Sequence, residues 1–105
     1  MRAGELKHAI DIQQLTGQAD QYNDVVQAWQ NYHSTHAAIK PVSGREFVEQ
    51  HAQHGEIEYQ VKLRYYPGIT EKMRVLWGAI ALEIIVVLDL NGAHVELQLM
   101  CRVIT

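Results

Sequence analysis

The sequence has one cysteine, one phenylalanine and two prolines in 105 residues. A lone cysteine excludes an intrachain disulfide framework, so the fold must rest on an apolar core, as in a reducing compartment. Cys101 falls on the apolar side of a late strand pattern, where a small buried hydrophobe is the expected role rather than a nucleophile. Long apolar runs are also missing. The most apolar window, VLWGAIALEIIVVLDL, is interrupted by Gly78 and Glu83 and falls short of the roughly 18–20 residues that a membrane helix needs. The opening MRAGELKHAIDIQQL has neither a long apolar stretch nor a small-residue cleavage site, so neither a signal peptide nor an anchor is expected, and the chain reads as soluble. Basic residues are few: nine Lys and Arg stand against twelve Asp and Glu, with a net charge of -3 and a pI near 6.0. They are scattered along the sequence, which argues against a protein that clamps nucleic acid through a large basic surface.

Signatures of catalysis are equally scarce. No G-x-S-x-G elbow, P-loop or dinucleotide fingerprint occurs. Of the nucleophile candidates Ser34, Ser43 and Cys101, Ser43 is better explained as a helix cap. Glu56 and Glu58 fall on the wet side of a strand and read as solubilising charges, not as a glycosidase pair. The six histidines include two pairs spaced by three, His33 with His36 and His51 with His54. Such spacing suits one helix face, and Glu49 or Glu56 would have to complete a catalytic zinc site. With a single thiolate available, solvent-exposed histidines are the simpler reading, and no metal or cofactor is expected. Tyr22, Trp29, Tyr32, Tyr65, Tyr66 and Trp77 raise the possibility of an oligonucleotide-binding barrel that stacks bases on exposed rings. Tyr65 shares the parity of the core, however, and the acidic balance opposes a single-strand groove.

What is abundant is alternation. Ile10 and Ile12 alternate with Asp11 and Gln13, the period of a half-buried strand. TGQADQYND, residues 16–24, then reads as a mobile surface loop. In VVQAWQNYHSTHAAIKPV, Val25, Ala28, Trp29 and Tyr32 fit helical spacing, while Trp29, Ala37 and Ile39 share one strand parity. Thr35, the aromatics and Lys40 before Pro41 favour a strand. SGREFVEQHAQHG carries a capping signal, Ser43 with Glu46, and predicts a short helix or helical turn over 43–54 that stops near Gly55. EIEYQVKLRYY places Ile57, Tyr59, Val61, Leu63 and Tyr65 on one face and charged or amide side chains on the other. Pro67-Gly68 then suits the centre of a type II turn.

Two short runs rich in branched residues follow, MRVLWG and AIALEIIVVLDL, apolar enough to be covered on both sides by the core or by a neighbouring subunit. Asp89-Leu90-Asn91-Gly92 predicts a hairpin turn. AHVELQLMCRVI turns Val95, Leu97, Leu99, Cys101 and Val103 inward, and His94, Glu96, Gln98 and Arg102 outward. The chain therefore reads as one mainly β domain over residues 1–105, a small antiparallel barrel or sandwich of five or six strands with one helical insertion.

Three pieces, MRAGELKHAIDIQ, AAIKPVSGREF and YYPGITEKMRVLWG followed by a strand and DLNG, together resemble the head-closure (head-tail joining, or stopper) proteins of tailed bacteriophages. The resemblance spans nearly the whole chain. Its motif residues are Met1 through Ile12, then Pro41 and Ser43 to Glu46, then Tyr65, Pro67, Gly68, Ile69, Thr70, Met73, Arg74 and Val75. Ala79 to Leu82 departs from the more polar stretch expected after Trp77, and residues 16–24 match loosely.

The resemblance implies a non-enzymatic β-barrel subunit that forms a ring, commonly of twelve, between the portal and its adaptor (connector) protein and the tail completion (terminator) protein. Such a ring closes the DNA-filled capsid in the virion after assembly in the host cytoplasm. By position, the inserted loop that gates the channel would be Ser43 to Gly55, including Ser43, Gly44, Arg45, Glu46, Glu49, Gln50, His51 and His54. Ring contacts are heterologous and bury apolar side chains, for which Trp77, Ile80, Leu82 and Ile84 are candidates beside plain core packing. A negative net charge would let DNA pass without adhering. The competing expectation is a small β-barrel binding module, for nucleic acid or a host protein, outside the virion.

Overall fold

The computed structural model describes residues 6–19, 22, 25–42, 57–89 and 92–104. Six strands form: β1 (His8–Ala19), β2 (Val25–Pro41), β3 (Tyr59–Arg64), β4 (Arg74–Trp77), β5 (Ile80–Asp89) and β6 (Glu96–Val103). Every pairing is antiparallel, and the spatial order β1-β2-β3-β6-β5-β4, with β4 returning to β1, closes a barrel. Closure removes the sheet edges that an open sheet of this length would expose. The predicted helical turn over 43–54 lies outside the described residues.

The alternation read from the sequence decides what fills the barrel. Ile12, Val61, Leu63, Val75, Leu82, Leu99 and Cys101 are fully buried, joined by Ile10, Ala37, Ile84 and Leu97. Each large aliphatic side chain removed from water in this way contributes on the order of 1.5–3 kcal/mol before conformational entropy is counted. Among the described residues no buried side-chain polar atom lacks a hydrogen-bond partner.

Two bulges break the alternation. Ile12 faces His33 and Gln13 faces Asn31, so Tyr32 has no residue across from it; likewise Ile84 faces Cys101 and Val86 faces Met100, leaving Ile85 extra. An extra residue in one strand shifts every later side chain to the opposite face. Trp29 and Ala37 therefore do not share a face, although their spacing along the chain says they should: Ala37 is fully buried and Trp29 is exposed. In β5 the shift sends Val87 to the core while Ile85, Val86 and Leu88 pack outside it. There they surround Met100 and Ile57 with Val42, a second, smaller apolar cluster. Ile57 belongs to this cluster rather than to the face of Val61 and Leu63. This is how the apolar run in β5 is covered on both sides.

Within the expected loop over 16–24, residues 16–19 are strand. Thr16 to Ala19 continue β1 and pair with Ala28 to Val25. Polar composition concealed them because they line no core. β4 pairs with β1 only at Asp11 to Gln13, and β3 with β2 only from Ala37 to Pro41. Beyond Gln13, the segments Gln14–Ala19 and Val25–Gln30 are paired in the sheet only with each other and project as a two-stranded arm, about 20 Å long at the usual rise per residue. The longest dimension of the molecule is 49 Å against 30 and 27 Å.

Candidate functional site

β3 and β4 are not neighbours in the barrel, so the chain between them must cross its mouth. The crossing is the motif segment Tyr65 to Met73. Ile69 is buried beneath it, and Tyr65, Tyr66 and Met73 pack on the core from the same end. Met73 N–H donates to Thr70 O at 3.1 Å, and Lys72 N–H to Thr70 Oγ1 at 3.3 Å, which turns the chain into β4. Gly68 has φ of 89°, the left-handed value that its place after Pro67 requires. A Cβ at Gly68 would collide with the Tyr32 hydroxyl, which donates to Pro67 O at 2.7 Å. Tyr32, the unpaired residue of the β2 bulge, thus locks the turn, and its ring meets Tyr66 edge-on at 5.6 Å. His33 stacks flat on Tyr66 with centroids 3.7 Å apart. A bulge that brings two successive rings onto one partner is what alternation alone could not have indicated.

The β5–β6 connection is tied to the same plug. Tyr65 N–H donates to Val95 O at 3.0 Å, and the Tyr65 ring tilts on His94 at 4.5 Å. Asp89 accepts the His94 backbone N–H through Oδ1 at 3.1 Å, and its Oδ2 lies 2.6 Å from His94 Nδ1. These contacts hold His94 at φ 54°. β5 and β6 pair antiparallel up to Asp89 and Leu97, and Gly92 in the expected hairpin turn has φ of 61°; β6 begins only at Glu96, and Val95, expected inward, is 61% exposed. Asn91 lies outside the described residues.

At the root of the arm, Arg74 does two things. Its Nε donates to Gln13 Oε1 at 2.8 Å, and its guanidinium lies 4.3 Å from the Trp29 ring centroid. Leu15 faces Trp29 directly across the arm, and they are 47% and 36% exposed. On the other side of the bulge, Asn31 Nδ2 donates to Ser34 Oγ at 3.1 Å, and Ser34 Oγ to Asp11 Oδ1 at 2.7 Å. Ser34 is therefore a structural donor.

The opposite mouth is closed by Trp77, which meets His8 and Tyr59 edge-on at 5.2 and 5.9 Å. Val42 and Glu58, which flank the inserted segment, lie at this end, with Val42 N–H donating to Glu58 O at 3.0 Å and Glu58 N–H to Cys101 O at 2.9 Å. Glu58 also accepts the Val103 N–H through Oε1 at 3.2 Å. The candidate gate residues Ser43, Gly44, Arg45, Glu46, Glu49, Gln50, His51 and His54 lie outside the described residues. Of the candidate ring contacts, Leu82 and Ile84 face the interior of their own barrel and are withdrawn; Ile80 is 40% exposed and Trp77 half-buried. Ile80, Leu82 and Ile84 share one face of β5, and Ile80 is exposed because it opens the strand, paired with Trp77 at the end of β4.

His33 and His36 do not share a face, because residues three apart on a strand point to opposite sides. Among the described residues no group of three or more His, Cys, Asp or Glu is placed to hold a metal ion. Burial raises the Cys101 thiol from an ordinary 9.0 to about 12, which keeps it neutral and unreactive at physiological pH.

A family model described as phage head completion protein matches residues 1–104. The chain belongs to the phage head completion protein family. A comparison with curated proteins found no match. Among solved structures, the chain is similar to protein SF1141 from Shigella flexneri 2a, determined in solution, at 24% identity and a TM-score of 0.76 over 98% of this chain and 96% of that one. It is also similar to a chain in the virion of a native gene transfer agent particle, at 16% identity and a TM-score of 0.61 over 94% and 96% of the two chains. At these identities the likeness is one of fold. Family membership makes the protein a structural component of the head-tail connector, located in the virion and in contact with other virion components.

Proposed function

We propose that the protein is a non-enzymatic subunit of a ring seated between the portal-adaptor connector and the tail completion protein, where it closes the DNA-filled capsid. The observation that carries this reading is the build of the barrel, whose two mouths differ. The arm and the locked Tyr65–Met73 plug occupy one end, and the roots of the inserted segment occupy the other. A subunit that must present one surface towards the head and another towards the tail needs such polarity. Ser43 to Gly55 would gate the channel, its two roots held together by the Val42–Glu58 hydrogen bond. Trp77 and Ile80 remain candidate contacts between subunits, and twelve copies are expected from the family resemblance.

The test uses DNA-filled capsids that carry portal and adaptor but lack this protein. The purified chain should bind at the portal vertex and keep the DNA inside, as seen by negative-stain imaging and nuclease protection. A folded protein that leaves the vertex bare would defeat the reading and favour a binding module outside the virion.

A further inference from the structure

The arm cannot be explained by the barrel's own stability. A two-stranded ribbon is marginal in water, and this one exposes Leu15 and Trp29 side by side while, among the described residues, both of its backbone edges lack a strand neighbour. Its charge is one-sided. From Gln14 to Gln30 the sequence contains Asp20 and Asp24 and no Lys, Arg or His.

The complement lies on the same molecule, out of reach. Lys40 on β2 faces Gln60 on β3, and Lys62 and Arg64 continue the outward side of β3, opposite to the buried Val61 and Leu63. Basic residues that are scattered in sequence thus form a stripe across two strands. Neither β2 nor β3 contains a carboxylate; the nearest by register are Glu96, across from Arg64 on β6, and Glu58, two residues before Gln60, whose Oε1 accepts the Val103 N–H. Among the described residues Lys40, Lys62 and Arg64 have no ion-pair partner. Lys40 sits eleven residues from Trp29 on β2, roughly 35 Å along an extended strand. The arm cannot fold back onto it.

We propose that the arm docks on the Lys40–Lys62–Arg64 face of a second copy of this chain, and so forms a subunit-to-subunit contact of the ring beside that of Trp77 and Ile80; this rests on the ring reading above. The two surfaces are different patches of one molecule, so the contact is heterologous and repeats from copy to copy, closing into a ring when the rotation allows. Lysine stems beside Ala38 supply apolar area for Leu15, and their cationic heads face the acidic arm and the face of the Trp29 ring. Arg74, already braced on Gln13, holds Trp29 in place for the contact.

The experiment places one cysteine on each surface, Gln27→Cys on the arm or Lys40→Cys on the stripe, and treats capsids loaded with either variant or an equal mixture with a short bismaleimide. Cys101 is buried and does not compete. Crosslinked dimers should appear in the mixture at about tenfold the yield of either variant alone, and Lys40→Glu with Lys62→Glu should lower the retained protein by about tenfold, with Asp20→Lys and Asp24→Lys restoring it. Crosslinking by Gln27→Cys alone would mean arm-to-arm pairing and overturn the proposal. So would docked, DNA-retaining protein that gives no mixed crosslink, an outcome that leaves the ring reading intact and assigns the arm to a different virion protein. Failure of the unmodified chain to dock overturns both.

Discussion

The barrel and the arm are made from the same two strands, yet they obey different rules. In the barrel, β1 has neighbours on both sides from Asp11 to Gln13 and its isoleucines are buried; from Gln14 onward it pairs with β2 alone and exposes Leu15. The sequence changes to match, from apolar alternation to Gln, Thr and Gly. The barrel fills space with its own side chains, and the arm leaves Leu15 and Trp29 exposed.

This contrast can be tested by substitution. Leu99→Ala, in the centre of the barrel, should cost about 2–5 kcal/mol and be read as a lower urea midpoint. Leu15→Ala, the same kind of truncation made on the arm, should leave the midpoint nearly unchanged, and that contrast would be the sharpest statement of the difference. Cys101 gives a pH-dependent version. Its folded thiol titrates near 12 rather than 9.0, so between those values the unfolded chain has released a proton that the folded chain keeps. Stability should fall with rising pH in that window by up to about 1.4 kcal/mol per unit. Below pH 9.0 the residue contributes no slope, and Cys101→Ala should remove its share of the alkaline decline.

Gly68→Ala tests the junction between the two regions. It forces a side chain into the left-handed conformation and against Tyr32, and should cost about 1–3 kcal/mol. Because Tyr32 is the bulge residue, the loss should be accompanied by increased amide exchange in Asn31 to Ser34. Smallest of all, Trp29→Ala should change stability by less than about 1 kcal/mol, since it removes an exposed ring and one cation–π contact. Its retention on capsids should nevertheless drop. A stability loss as large as that of Leu99→Ala would show that the arm belongs to the folding unit of the barrel after all.

Much of the barrel was legible because its period is two and its inward residues are branched. Ile10, Ile12, Val61, Leu63, Leu97 and Leu99 are buried as their alternation requires. Pro67-Gly68 announced its turn through backbone chemistry alone. The errors have a common cause, which is that pairing partners are not written locally. Thr16 to Ala19 looked like a loop because an arm has no core side. Val95 looked inward because the tether from Tyr65 N–H cannot be seen in its own sequence. Leu82 and Ile84 looked available to a neighbour because a run of apolar residues does not say which of its members face in. The motif residues Tyr65 to Arg74 were recognised from resemblance, but their shared task, spanning one mouth of the barrel and bracing the arm, required the strand order.

The bulge at Tyr32 has a consequence for how such a chain can vary. It resets the inside-outside phase of β2, so the barrel half and the arm half of a single strand are read in separate frames. Lengthening or shortening the arm by matched residues at its tip leaves every barrel side chain where it was, and even deleting Tyr32 would keep both halves on their present faces, because Asn31 and His33 would then pair in ordinary register with Gln13 and Ile12, at the cost of the hydrogen bond that locks Pro67. A lineage can therefore refit the arm to a changed partner surface without renegotiating its core.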